Sequence, residues 1–147
     1  MSTEKNKALV LRFWNEIWNK RNTALAHDIL PLDYAAFEMP WVALWHGAFP
    51  DFRVTVNEFV AEGEAVVSRV TIRGTHRGEL KGELVRWLTE PLPPTGKRIE
   101  IDGIWIFRVY DGDGKMLRAE TRGVADWLGL LRQLGALSMP EEAAGSS

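Results

Sequence analysis

Gly123-Val124-Ala125-Asp126-Trp127-Leu128-Gly129-Leu130-Leu131-Arg132-Gln133-Leu134-Gly135 decides the fold, because it joins a strand-like run to a short apolar helix at a single carboxylate. Asp126 stands at that junction, where its side chain can accept the orphan N–H groups of the helix as an N-cap. The same position suits a second role. A carboxylate aimed into an apolar, tryptophan-rich cavity has its pKa raised by desolvation and becomes a usable general acid or base near neutral pH. A capping Asp can also face a pocket, so both readings stand together. The helix is expected over Asp126 to Leu134, stopped by Gly135.

Upstream, Lys115 to Ala125 reads as a strand, and Asp111-Gly112-Asp113-Gly114 as the turn that joins it to a longer strand, Lys97 to Tyr110. In that longer strand Ile99, Ile101, Trp105, Phe107 and Val109 share one parity, while Glu100, Asp102, Ile104, Ile106 and Arg108 share the other. Arg53 to Val60 alternates and stops at Glu62-Gly63-Glu64; Ala65 to Thr75 is long and β-branched. The Gly- and Pro-rich connection from Arg77 to Thr95 is too long for a plain hairpin, and such loops are often lids or binding loops.

Before the strands come helices. Residues 4 to about 20 carry Val10, Phe13, Trp14 and Ile17 on one stripe, with Trp18 at its edge. Thr23 is placed to cap a second short helix that ends near Leu30, ahead of Pro31. Asp33 to Glu38 reads as a short strand. Trp41 to Gly47, between Pro40 and Pro50, allows at most about three turns of helix, with both indoles of Trp41 and Trp45 on one face. Helices followed by an antiparallel meander make an α+β plan, and a bent sheet against helices leaves a cone whose mouth can hold a small molecule.

A chain of 147 residues fits one domain, expected over 1–137, with a small, polar and acidic tail over 138–147 expected to be disordered. The net charge of −2, with Lys and Arg unclustered, gives no footprint for nucleic acid. Absence of cysteine excludes disulfides and thiolate metal sites and fits a reducing compartment. No apolar run reaches the roughly 18 residues of a membrane span, and the N-terminus lacks a signal-peptide core, so a cytoplasmic location is expected. His27, His46 and His76 are scattered without metal-ligand spacing, so no metal is expected. Asp111 to Gly114 lacks the remaining ligand positions of a calcium loop. Arg118, Glu120 and Arg122 share parity with Asp126 if the strand is unbulged. They form either part of a site or a solvated outer face paired with Glu100, Asp102 and Arg108. Seven tryptophans exceed what a core of this size needs, so some are expected to line a cavity for an aromatic ligand.

Several segments resemble the SnoaL-like polyketide cyclases, the ester-cyclase group of the nuclear-transport-factor-2-like superfamily. They are Asn6-Lys7-Ala8-Leu9-Val10 with Phe13-Trp14-Asn15-Glu16-Ile17-Trp18-Asn19-Lys20, then Ala48-Phe49-Pro50-Asp51-Phe52-Arg53-Val54-Thr55-Val56. Gly74-Thr75-His76-Arg77-Gly78-Glu79, Pro93-Pro94-Thr95-Gly96-Lys97 and the closing Leu128 to Gly135 are similar too. The resemblance spans nearly the whole chain in order. It implies a cone-shaped fold, a curved antiparallel sheet wrapped on N-terminal helices around a central pocket, commonly dimerised through the outer sheet face. It also implies a cofactor-free, aldol-type ring closure on an anthraquinone-like ester, with the aspartate before the L-G-L-L helix as acid/base. Asp126 matches that position. The chain departs from the pattern at Ala36, Phe37 and Phe107, where members are usually polar, which implies a more aromatic pocket.

The expected function is therefore a cofactor-independent enzyme acting on a hydrophobic polycyclic small molecule, without nucleic-acid or membrane partners and as a homodimer. Asp126 is the expected acid/base, with Glu120, Arg122 and Asp102 as secondary candidates. Trp14, Trp18, Phe37, Trp41, Trp45 and Trp105 are the expected ligand walls. Two alternatives stay open: an epoxide hydrolase or epoxide-opening cyclase, and a noncatalytic binding or dimerisation module. Side chains inside the cone discriminate. One carboxylate favours the cyclase, two with an arginine the epoxide reaction, none mere binding.

Overall fold

The computed structural model describes residues 3–81, 90–110, 115–116 and 121–136. Helix α1 (Thr3–Arg12) runs straight into a π-helical segment, Phe13–Asn19. The wider turn of that segment sets Phe13, Trp14, Ile17 and Trp18 all inward, where the sequence suggested one uninterrupted amphipathic helix with Trp18 at its edge. Helix α2 (Thr23–Ile29) is capped by Asn22 rather than Thr23, the Asn22 side chain accepting the Leu25 N–H at 3.1 Å. It ends at Leu30 before Pro31, as the sequence indicates.

Helix α3 (Leu32–Ala48) is the main departure. Asp33 to Glu38, expected as a strand, forms its first turns, and the helix continues through Pro40 to Ala48. Ala35, Ala36, Glu38 and Met39 are strong helix formers. Pro40 lies on the exposed side, where water can satisfy the carbonyl it leaves without an N–H partner. The buried residues Tyr34, Ala35, Val42, Trp45 and His46 recur at helical spacing and fasten the helix to the core.

The sheet is antiparallel throughout. Strands β1 (Arg53–Glu62), β2 (Ala65–Thr75) and β3 (Arg98–Tyr110) pair in sequence order, close to the runs read from alternation. Asn57 is an extra residue between the Val56–Val70 and Glu58–Arg69 pairs, a bulge that bends β1. Along the free edge of β3 lie β4 (Lys115–Met116) and β5 (Arg122–Ala125). Unbroken pairing from Val109–Met116 would set Ile106 opposite position 119, yet it faces Arg122, so three extra residues intervene. Arg118 and Glu120 come between β4 and β5 in the sequence. Both of those residues, the 111–114 turn and the tail from 138 lie outside the described residues.

The inner face of the sheet presents Val66, Ser68, Val70 and Ile72 from β2 and Ile99, Ile101, Phe107 and Val109 from β3, all buried. α1, the π-helical segment and α3 fill the concavity. Trp14 buries its indole there and donates Nε1–H to the Ser68 hydroxyl at 3.1 Å, which satisfies the one polar atom a buried tryptophan brings. Helix α4 (Trp127–Gln133) closes the chain against β3 and stops where Gly135, at φ 74°, lets Ala136 N–H reach the Leu131 carbonyl at 2.9 Å. Among the described residues no helix is long and apolar enough to cross a membrane.

Two buried histidines set a pH response, His46 joining α3 to the π-helical segment and His76 joining the end of β2 to the loop before β3. His46 donates toward the Trp18 carbonyl (2.6 Å), and His76 accepts the Thr95 N–H on Nδ1 (3.2 Å). Burial pushes both below the ordinary value of 6.5, and Arg21 adds to the effect at His46 while the carbonyls of Trp18 and Gly78 oppose it at His46 and His76 respectively. A depressed base favours the unfolded chain when protons are plentiful. Stability from these two sites is therefore complete above pH 6.5 and is lost as the pH falls toward the native values. Urea midpoints measured from pH 7.5 downward should decline from about pH 6.5; a flat profile to pH 5 would contradict this.

Candidate active site

Between the helices and the inner sheet face lies a cavity of about 460 Å³, within the range of small-molecule sites. Its walls are aromatic because four elements deliver rings to one space. The π-helical segment supplies Phe13, Trp14 and Trp18, β3 supplies Trp105 and Phe107, and α3 with α4 supplies Trp45 and Trp127. Trp14 meets Trp105 edge-on at 5.4 Å and Phe107 at 5.9 Å; Trp45 meets Trp127 at 5.7 Å. The rings thus hold one another in place, and a flat ligand would meet preset faces.

Trp105 is seated on glycine. Gly103 precedes it by two on β3, and Gly123 faces it across the β3–β5 pairing. A Cβ at Gly123 would come within 1.9 Å of the Trp105 Nε1, and one at Gly103 within 2.3 Å of its Cζ3. The indole therefore lies against bare backbone, which leaves the cavity open above it.

Polar groups gather along one edge. Tyr34 and Glu38 are one turn apart on α3 and both line the cavity. The Tyr34 hydroxyl lies 3.3 Å from the Thr121 hydroxyl, which brings the start of β5 to the same edge, with Arg122 next in sequence. Glu38 is half-buried, and its Oε2 accepts the Trp18 indole N–H at 3.0 Å. That bond fixes the carboxylate's orientation against the aromatic wall. Among the described residues, Glu38 is the one carboxylate lining this cavity.

The residues singled out in the sequence separate into groups. Trp14, Trp18, Phe37, Trp45 and Trp105 come together at the cavity. Trp41 is half-buried beside Phe37 (6.3 Å) and lies off the cavity wall. Arg122 sits at the rim, reaching both the cavity and the outer sheet face. Glu120 lies outside the described residues. Asp102 points to the outer face and accepts the Thr71 hydroxyl at 2.9 Å.

Asp126 is the N-cap of α4, with Oδ1 accepting the Gly129 N–H at 2.8 Å. Its own N–H extends the β5–β3 pairing to the Asp102 carbonyl (3.1 Å), one residue beyond the Ala125–Gly103 pair. Alternation along the strand then sends its side chain to the outer side with Asp102, exposed and away from the cavity. The expected inward carboxylate comes instead from α3, through Glu38. Tyr34, Glu38, Thr121 and Trp127 were not anticipated. Tyr34, Glu38 and Trp45 fall on one helical face at spacings of 4 and 7, a signal masked by reading 33–38 as a strand.

The similarities to known proteins agree with this architecture. No curated protein matches the chain. TsrD of Streptomyces laurentii is 24% identical over 93% of this chain and 99% of its own, with a TM-score of 0.74. AclR of Streptomyces galilaeus, described as a candidate hydroxylase, is 26% identical over 99% of this chain and 90% of its own, also at 0.74. IdmH of Streptomyces antibioticus, described as a candidate polyketide cyclase, is 22% identical over 88% and 98%, at 0.69. The family model for SnoaL-like polyketide cyclases matches residues 35–134, from within α3 to the end of α4. With the curved sheet wrapped on its helices in view, the chain belongs to the SnoaL-like polyketide cyclase family.

Proposed function

We propose that the protein is a cofactor-independent, cyclase-like enzyme that acts on a flat, hydrophobic polycyclic molecule by acid/base chemistry, with Glu38 as the proton-transferring group. The observation that carries this reading is the pairing of one oriented carboxylate with five indole walls, those of Trp14, Trp18, Trp45, Trp105 and Trp127, in a single cavity. A carboxylate beside the substrate can take a proton from a carbon between two carbonyls. The extended π system of the substrate then spreads the enolate charge, and the hydroxyls of Tyr34 and Thr121 with the Arg122 guanidinium supply donors along the same edge. The enolate carbon attacks a carbonyl within the same molecule, and the resulting alkoxide takes a proton back. No group outside the chain is needed for this balance.

An epoxide-opening reaction calls for a second acid. Among the described residues the cavity offers no second carboxylate, which favours the ring-closing reading. Asp126→Asn and Glu38→Gln separate the two carboxylate assignments. Asn caps nearly as well as Asp, so Asp126→Asn should keep both fold and activity, whereas Asp126→Ala should cost about 1 kcal/mol through the lost cap alone. A loss of turnover in Asp126→Asn by two or more orders of magnitude would return the acid/base role to Asp126.

We also propose a homodimer formed through the outer sheet face. Ile104 (47% exposed), Ile106 (41%) and Val124 (73%) make an apolar strip there, and contiguous exposed apolar side chains of this kind mark interaction surfaces. Light scattering at micromolar concentration should give twice the 16.6 kDa chain mass. Ile104→Lys should shift it toward monomer; a wild-type protein that is monomeric at that concentration would contradict the assignment.

A further inference from the structure

A second depression, of about 390 Å³, lies on the far side of Phe52 from the aromatic cavity, and its lining is polar: Asn19, Arg21, His46, Asp51 and Arg53. Phe52 borders both spaces and separates them. Three observations make this more than a pair of surface arginines.

The first is the backbone at Arg21, which takes φ 55°. This left-handed conformation closes the π-helical segment, with Asn22 N–H reaching back to the Glu16 carbonyl at 2.9 Å. Glycine would fit there without steric penalty, whereas an arginine holds this conformation at some steric cost, so the backbone fixes where its side chain leaves the chain. The second is charge. Neither Arg21 nor Arg53 has a carboxylate within ion-pair distance among the described residues, unlike Arg69 and Arg73, which pair with Glu58 and Glu100. Asp51, the one carboxylate in the depression, is turned to Thr75, whose N–H and hydroxyl it accepts at 2.7 and 2.8 Å. The third is His46, only 9% exposed. Its Nε2–H donates to the Trp18 carbonyl at 2.6 Å, which leaves Nδ1 as a lone-pair acceptor with no protein partner among the described residues.

Two guanidiniums ask for an anion with several oxygens, and an imidazole lone pair beside them asks for an O–H. Hydrogen phosphate meets both requirements at pH 7; sulfate, fully ionised, and a phosphate monoester, whose second proton is largely lost at that pH, meet only the first. Asn19 is held to the backbone of β1, its amide pairing with the Val54 N–H and carbonyl at 2.7 and 2.9 Å. We infer that this depression is a binding site for a hydrogen phosphate group, formed by Arg21, Arg53 and His46 and distinct from the aromatic cavity.

Calorimetric titration at pH 7 and constant ionic strength tests this with inorganic phosphate, phenyl phosphate, sulfate and chloride as probes. Phosphate should bind, with sulfate weaker by roughly tenfold, the usual effect of one hydrogen bond in a charged site. Phenyl phosphate, largely without its second proton at pH 7, should bind as weakly as sulfate, and phenyl phosphate matching phosphate would overturn the inference. Arg53→Gln and Arg21→Gly should each weaken phosphate binding at least tenfold. Arg21→Gly should also unfold no more easily than wild type, since glycine accepts that backbone conformation, so its loss of binding cannot be blamed on the fold. Phosphate binding no better than chloride, sulfate matching phosphate, or both variants binding phosphate as wild type does would each overturn the inference.

Discussion

Glu38→Gln should lower turnover of a polycyclic β-keto ester by two or more orders of magnitude while leaving ligand binding and stability near wild type. The amide is isosteric and still offers an oxygen to the Trp18 indole N–H, which lies 3.0 Å from Oε2, so the wall geometry survives. What disappears is the ability to accept and return a proton, worth about 10²–10⁴ in rate for a positioned acid/base. Binding should persist because it comes from the rings. Each offset aromatic contact adds about 0.5–1.5 kcal/mol beyond area burial. Anthraquinone titrations followed by tryptophan fluorescence would register that binding in both proteins. Equal loss of binding and turnover would mean that Glu38 holds the ligand rather than transfers a proton.

Gly123→Ala should sharply weaken binding of the same ligands by closing the cavity from below. The added Cβ would stand 1.9 Å from Trp105 Nε1, 2.2 Å from Cδ1 and 2.4 Å from Cε2. All three atoms belong to one rigid plate, so the ring moves as a unit, and the open direction is into the cavity. Overpacking of this kind typically destabilises by about 1–3 kcal/mol. Ligand affinity should fall at least tenfold. The double variant Gly123→Ala, Trp105→Ala should recover part of the stability, because the clash has lost its partner. Wild-type affinity in Gly123→Ala would show that Trp105 can tilt elsewhere and that the glycine seat does not shape the site.

The strands were legible because their chemistry repeats. In β1, β2 and β3 apolar residues alternate with polar ones, and turn residues such as Glu62-Gly63-Glu64 stand between runs. The N-cap at Asp126 and the stop at Gly135 were equally plain, since both depend on local backbone groups. Which way Asp126 points was not local. It depends on the β5–β3 register, which differs by three from that of the β4–β3 pairing, and no sequence pattern announces that difference. α3 was obscured for a different reason. Pro40 argues against a helix interior, and only the tertiary burial of Tyr34, Val42 and Trp45 around it offsets that local preference. Once α3 is helical, Glu38 follows into the cavity one turn after Tyr34. Five of the six tryptophans in the described helices and β3 line the cavity, and Trp41 alone lies off it.

Deuterium exchange tests the central claim with the least intervening chemistry. An anthraquinone-borne β-keto ester, followed by proton NMR in D₂O, reports loss of the hydrogen between its two carbonyls whether or not a ring then closes. The account requires that wild type and Asp126→Asn accelerate this exchange over the uncatalysed rate to a similar extent, and that Glu38→Gln does not. Exchange that survives in Glu38→Gln and vanishes in Asp126→Asn would contradict it.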